Sequence, residues 1–136
     1  MSGQKVDYSK LELGYEFPPA SYQLDSSKVA AYLRAVGETS DLYQDLKIVP
    51  PTAVATLAMA ALLEHMTLPS GAIHVSQELE FMRLVNTEDT ITSYAKVTKK
   101  QKRGRFHLST IGLNAFNNKQ EAVLAGEINF ILPEQD

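Results

Sequence analysis

The 136-residue sequence contains no cysteine, which excludes disulfides, thiolate metal sites and cysteine nucleophiles. It also lacks a long apolar run. A bilayer-spanning helix takes roughly 20 apolar residues, and the richest stretch here, from Thr52 to Met66, is shorter and is interrupted by Glu64-His65. The opening Met1-Ser2-Gly3-Gln4-Lys5-Val6 has no apolar signal core. A cytoplasmic protein without a membrane partner is the expectation. There is no internal repeat, low-complexity run, nucleophile elbow, phosphate-binding loop or dinucleotide fingerprint. The three histidines, His65, His74 and His107, have no further His or carboxylate at a ligand spacing, so no metal site is expected. The net charge of −3 argues against a general nucleic-acid binder.

What is present is enough apolar content, 44%, for one self-sufficient core. The sequence reads as one domain over residues 1–136, with 1–10 and 134–136 as loose ends. Its centre is the stretch Pro50-Pro51-Thr52-Ala53-Val54-Ala55-Thr56-Leu57-Ala58-Met59-Ala60-Ala61-Leu62-Leu63. Alanine, leucine and methionine favour a helix, and Pro51 suits its first turn, where no N–H is needed. Apolar residues at nearly every position from Ala53 to Leu63 leave no polar stripe, so this helix should be buried all round, wrapped by another element.

Before it, Asp25-Ser26-Ser27 offers caps to a helix over Lys28 to Val36, with Val29, Tyr32, Leu33 and Val36 on one face and Gly37 as the stop. Pro18 and Pro19 confine the preceding segment to an edge or loop, with a short strand at Ser21 to Leu24. Glu38 to Val49 is irregular, and a loop of that length in a small domain points to function. After the helix the chain reads as strands. In the first, Ile73, Val75, Gln77, Leu79 and Phe81 share one face, and His74, Ser76, Glu78, Glu80 and Met82 the other. A second runs from Thr90 to Thr98, Lys99-Lys100-Gln101-Lys102-Arg103-Gly104 closes a hairpin, a third spans Arg105 to Phe116, and a fourth Ala122 to Leu132. Strands this long can curl around a single helix.

This order, together with Gly71-Ala72-Ile73-His74-Val75-Ser76-Gln77-Glu78-Leu79-Glu80-Phe81-Met82-Arg83-Leu84-Val85 followed by Asp89-Thr90, resembles the MaoC-like dehydratases and (R)-specific enoyl-CoA hydratases and their fatty-acid-synthase-type N-terminal relatives. In that family the segment ends in an aromatic, Arg-Pro-Val and Gly-Asp-Thr; here Leu84 replaces the proline and Glu88 the glycine. The resemblance covers about residues 11–133 and implies an α+β hot-dog domain, a long curved antiparallel sheet around a central helix. It further implies an acyl-CoA or acyl-carrier thioester as ligand, no cofactor, and a homodimer or heterodimer with a second hot-dog chain, with the first helix and the pre-helix loop near the partner.

The family carries a pattern close to Gly-Asp-x-Asn-Pro-Leu/Ile-His-x-Asp before the helix, whose Asp and His act as acid and base. The matching residues here are Gly37-Glu38-Thr39-Ser40-Asp41-Leu42-Tyr43-Gln44-Asp45. Glu38 stands at the Asp position and Tyr43 at the His position. An ordinary phenol, with a pKa near 10, does not accept a proton at neutral pH, so the dyad is expected to be absent. The implied reading is a dehydratase- or hydratase-type subunit for (3R)-hydroxyacyl or enoyl thioesters that needs a catalytic partner. The alternatives are a self-sufficient hydratase with a variant site and a thioesterase using Glu64.

Candidate substrate-binding residues are Asp41, Pro51, Thr52, Ala53 and Gln77. Backbone N–H groups of Thr52, Ala53 and Val54 at a positive helix end suit a thioester carbonyl. Gln77, on an otherwise apolar face, reads as a buried amide that makes either a structural hydrogen bond or a ligand contact. The basic hairpin reads as a solvated turn guarding a sheet edge, or as a site for coenzyme A phosphates or an acidic carrier through Lys99, Lys102 and Arg103; nucleic acid ranks last, for want of interleaved aromatics.

Overall fold

The computed structural model describes residues 5–38, 43 and 46–134. In chain order its elements are strand β1 (Val6–Asp7), a 3-10 turn (Tyr8–Lys10), β2 (Ala20–Gln23), helix α1 (Ser26–Ala35), β3 (Ile48–Val49), helix α2 (Pro51–Leu63), β4 (Met66–Thr67), β5 (Ile73–Phe81), β6 (Val85–Asn86), β7 (Thr90–Arg103), β8 (Phe106–Phe116) and β9 (Ala122–Pro133). Five strands form one antiparallel sheet in the order β2-β7-β8-β9-β5. This is the long sheet around a helix that the sequence implied.

Helix α1 begins where the Asp25 carboxylate accepts the Lys28 N–H at 2.9 Å. It buries Val29 and Leu33 and ends at Gly37, whose φ of 75° continues the chain at no steric cost. In α2, Ala53, Val54, Ala55, Ala58 and Leu62 are buried. The expected all-round burial does not occur: Thr52, Thr56, Ala60 and Leu63, spaced about one turn apart, are exposed. One sheet covers one side of a helix, and the other side is left open.

The helix-facing side of the sheet is lined by Ile91, Ala95 and Val97 of β7, Ile111, Leu113 and Ala115 of β8, and Leu124, Ile128, Phe130 and Leu132 of β9, all buried. Strand β7 runs on to Arg103, so Lys99, Lys100 and Lys102 are strand residues and the turn is confined to Gly104 and Arg105. A break in register between Val97 and Lys99 occurs where the apolar pattern ends. A second break, between His74 and Ser76, corrects the face assignment in β5: His74 pairs with Phe130 and stacks on it at 5.3 Å, on the side shared by Gln77, Leu79 and Phe81. Ser76, Glu78 and Glu80 lie on the outer side.

The amino-terminal residues, expected to be loose, are tied down from Val6 onward. Strand β1 pairs in parallel with β4, and the Val6 N–H donates to the His65 carbonyl at 3.0 Å. Tyr8 is 1% exposed. Its ring stands edge-on to Phe130, and its hydroxyl accepts a hydrogen bond from Ser109 Oγ at 2.7 Å. Burial pushes the Tyr8 phenol up to about 12, with the Ser109 bond acting in the opposite sense. Residues 14–17 extend the β2 edge along β7 through Gly14 N–H to Val97 O, Val97 N–H to Tyr15 O and Phe17 N–H to Ala95 O.

Two expectations follow. The unfolded Tyr8 ionises near pH 10 and the folded one near 12, so its contribution is whole below pH 10 and drains as pH rises through 12, by roughly 2–3 kcal/mol. Urea unfolding between pH 8 and 11.5 should show this loss, and Tyr8→Phe should remove most of the slope. A remainder is expected from Tyr22, whose phenol burial also raises. The second concerns Gly126, where a Cβ would sit 2.5 Å from the Glu78 carbonyl oxygen of β5. Gly126→Ala should cost about 2 kcal/mol and loosen β5. Gly112→Ala, which meets only the Thr98 methyl at 2.9 Å, should cost clearly less; equal losses would contradict this account.

Candidate functional site

The start of α2 is held from three sides. Pro50 adopts an extended conformation (φ −57°, ψ 134°), and the carbonyl of this N-cap residue takes the Ala53 N–H at 2.9 Å and the Val54 N–H at 3.4 Å. Strand β3, just before it, pairs with β6, and the Thr87 N–H donates to the Lys47 carbonyl at 3.0 Å. Lys47 has a φ of 54°, a left-handed conformation that a lysine rarely adopts and that the flanking pairing holds in place. From α1, the Tyr32 hydroxyl lies 2.6 Å from Thr52 Oγ1. Thr56 Oγ1 donates to the Thr52 carbonyl at 2.8 Å.

This geometry changes the expected set of carbonyl-polarising donors. Of the three N–H groups at Thr52, Ala53 and Val54, two are engaged by Pro50 O, and Thr52 carries the donor still available at the helix start. Beside it stand the paired hydroxyls of Tyr32 and Thr52, both at the exposed end of the helix. From sequence, Tyr32 reads as a packing residue rather than a site residue, because its helical phase puts it on the apolar stripe of α1. Nothing local to it reveals that α1 lies against the start of α2.

The other candidates are dispersed. Glu38 follows α1, exposed, with its N–H donating to the Leu33 carbonyl at 2.9 Å. Tyr43 is partly buried against the core and lines a cavity of about 130 Å³ with Ser26, Val29, Lys47 and Thr87. No residue of α2 lines that cavity. Asp41 lies outside the described residues. Pro51 and Thr52 are at the helix start, with Ala53 buried behind them. Gln77 is exposed on the edge strand, which corrects the reading of a buried amide; its strand borders the sheet, so the apolar alternation around it does not signal enclosure.

Lys99, Lys102 and Arg103 are exposed at the far end of β7. That strand is 14 residues long, and at about 3.3 Å per residue its two ends are roughly 40 Å apart. Thr90 lies at the end beside β3 and the start of α2. Within one chain, therefore, the basic hairpin and the helix start are not brought together. Lys102 pairs with Glu134 at 3.0 Å, which lowers the Glu134 pKa through that hydrogen bond and charge. Lys100 Nζ donates to the Leu11 carbonyl at 2.6 Å. Glu64, the thioesterase candidate, is the C-cap of α2, about 20 Å from Thr52 along a 13-residue helix.

A family model for the FAS1-like dehydratase domain region matches residues 12–125. The chain belongs to that family. Solved structures agree on the fold. The (R)-hydratase from A. caviae involved in PHA biosynthesis is 23% identical with a TM-score of 0.77, over 91% of this chain and 98% of that one. The R-hydratase PhaJ1 from Pseudomonas aeruginosa is 20% identical with a TM-score of 0.79, over 97% and 88%. The HadBC (3R-hydroxyacyl-ACP dehydratase) complex from Mycobacterium tuberculosis contains a chain 19% identical with a TM-score of 0.68, over 88% and 96%. No curated protein matches by sequence. The chain thus combines membership of the FAS1-like dehydratase family with the hot-dog fold that these structures share. No helix among the described residues is long and apolar enough to cross a membrane, and these residues contain no group of three or more His, Asp or Glu able to hold a metal ion.

The Tyr32–Thr52 contact is testable apart from any activity. Tyr32→Phe and Thr52→Val should each cost about 1 kcal/mol, and the double variant little more than either. Strictly additive losses in urea unfolding would mean that the hydroxyl pair contributes nothing.

Proposed function

We propose that this chain is a dehydratase- or hydratase-type subunit that binds a (3R)-hydroxyacyl or enoyl thioester beside the start of α2 and depends on a second hot-dog chain for its acid and base. The observation that carries this reading is the pair at the family's dyad positions, with Glu38 in place of the Asp and Tyr43 in place of the His. Tyr43 packs into the core cluster and a small cavity that α2 does not line. Hydration requires one group to activate water and another to protonate the α-carbon. Glu38 can serve as one of them, and Tyr43 makes a poor second. The Thr52 N–H and the neighbouring hydroxyls fit a thioester carbonyl, so binding survives where turnover does not.

Partner dependence has separate support. Strand β5 forms one edge of the sheet and exposes Ile73, Val75 and Phe81, while just beyond it Met82 is exposed and Leu84 is 68% exposed. An open edge with apolar side chains around it favours association. HadBC, among the structural relatives, is by name a (3R)-hydroxyacyl-ACP dehydratase complex.

The assay is direct. The purified chain should bind acyl-CoA and hydrate crotonyl-CoA negligibly, followed as loss of enoyl absorbance, and a dyad-bearing partner chain should restore turnover. Robust hydration by the chain alone, abolished by Glu38→Gln or Tyr43→Phe, would establish a self-sufficient variant site instead. Thioester hydrolysis abolished by Glu64→Gln would favour the thioesterase reading.

A further inference from the structure

Three carboxylates crowd the outer side of the open sheet edge. Glu78 and Glu80 point outward from β5, and Glu127 of β9 is directly opposite Glu78 in the register. Like charges across adjacent strands are unfavourable, so this arrangement opposes sheet stability and calls for a compensating partner. The three border a cleft of about 440 Å³ with Asn114, floored by Gly112 and Gly126. Gly112, in register with Glu127, puts no side chain into the cleft on this outer face.

Cations of this chain are poorly placed to offset the cluster. Lys96 pairs with Gly112 across β8, and Gly112 pairs with Glu127 across β9. By backbone spacing at about 4.8 Å per strand, Lys96 is therefore about 10 Å from Glu127 but about 14 Å from Glu78, so it is nearer the inner carboxylate than the edge pair Glu78 and Glu80. Lys99 is equally far, in the row Lys99, Thr110, Asn129, Ser76. Arg83, just past β5, is held by Glu121 at 3.1 Å.

Consider two copies of this chain joined by their β5 edges. A two-fold axis normal to the sheet keeps both outer faces on one side. With the axis passing near Leu79, the middle of the acidic stretch, Glu78 and Glu80 of each copy would meet across the seam at strand spacing, with Glu127 of each one strand behind. Charges alone would suit an edge that stays solvated. The exposed Ile73, Val75 and Phe81 on the same strand, with Met82 just past it, argue instead that this edge is covered.

We infer that the β5 edge selects a different hot-dog chain over a second copy, one whose own edge strand carries lysine or arginine on the outer face, where those side chains enter the carboxylate-lined cleft. The inference rests on the reading above that this chain works through an edge-paired partner, and it names the chemistry by which that partner is chosen.

The test uses the chain and charge-altered copies of itself as probes. A mass-tagged Glu78→Lys/Glu80→Lys copy is mixed with the unaltered chain and followed by native mass spectrometry and sedimentation. The mixed dimer should be about tenfold tighter than the unaltered homodimer at low salt, with the difference shrinking at high salt. A Glu78→Gln/Glu80→Gln copy, nearly isosteric, should self-associate about tenfold more tightly than the unaltered chain. This second variant keeps the test open if the lysine copy fails to fold. A tight unaltered homodimer, lost on Phe81→Glu and indifferent to salt and to either charge change, would overturn the selection while leaving edge pairing intact. Absence of any dimer in every combination would overturn both.

Discussion

A single sheet closing over a single helix imposes the constraint on which the rest of this structure depends. Helix α2 carries Ala53, Ala55 and Ala58 on its buried side, and residues that small let the sheet approach closely. The facing positions are filled by branched side chains, with Val97, Ile111 and Leu124 fully enclosed. Burying such side chains contributes about 1.5–3 kcal/mol each. The same geometry sets a limit: one sheet can enclose only one side of one helix. The stripe from Thr52 to Leu63 and the free edge of β5 are what this arrangement leaves uncovered.

Much of this was readable from local pattern. The Asp25 cap, the glycine stop at Gly37 and the proline-led start of α2 are short-range devices, and they appear where the sequence places them. The misreadings share a cause. Strict alternation in β5 assigned Val75 to the same face as Gln77, yet a bulge at that point moves His74 there instead; an extra residue leaves no mark in hydrophobicity. The lysines after Val97 read as a turn because the apolar alternation stops, although backbone pairing runs on for several residues to Arg103. The two-residue strands β1, β3, β4 and β6 are too short for any periodicity. Gln77 reads as buried because exposure at a sheet edge depends on strand order, which lies beyond a local window.

The candidate site was legible in a different proportion. Position in the chain located the helix start correctly. It did not reveal that Pro50 O occupies two of the three N–H donors, since that follows from the backbone angle at one proline. Nor did it reveal Tyr32, whose contact with Thr52 spans 20 residues and depends on how α1 packs. The basic hairpin is the converse case. Its charges are a genuine cluster in sequence, but the length of β7 carries them away from the helix start, and Lys102 is tied to Glu134. Clustering in sequence and clustering at a site are separate properties here.

The two surfaces left open by the sheet belong to one physical problem. The α2 stripe exposes Leu63, and the helix-facing side of β5 exposes Phe81, with Leu68 on the segment between the two elements. Each of these is about 40% exposed or more. A second chain paired along β5 would extend the sheet past its present border and bring its own surface over that apolar ground. Hydrophobic cover alone would accept any chain of this fold, including another copy. On the opposite side of the sheet, Glu78 and Glu80 of β5 and Glu127 of β9 would discriminate by charge. In the proposed pairing, affinity from Phe81 and choice of partner from Glu78 and Glu80 would reside on different faces of β5, so that a sequence could change one without disturbing the other.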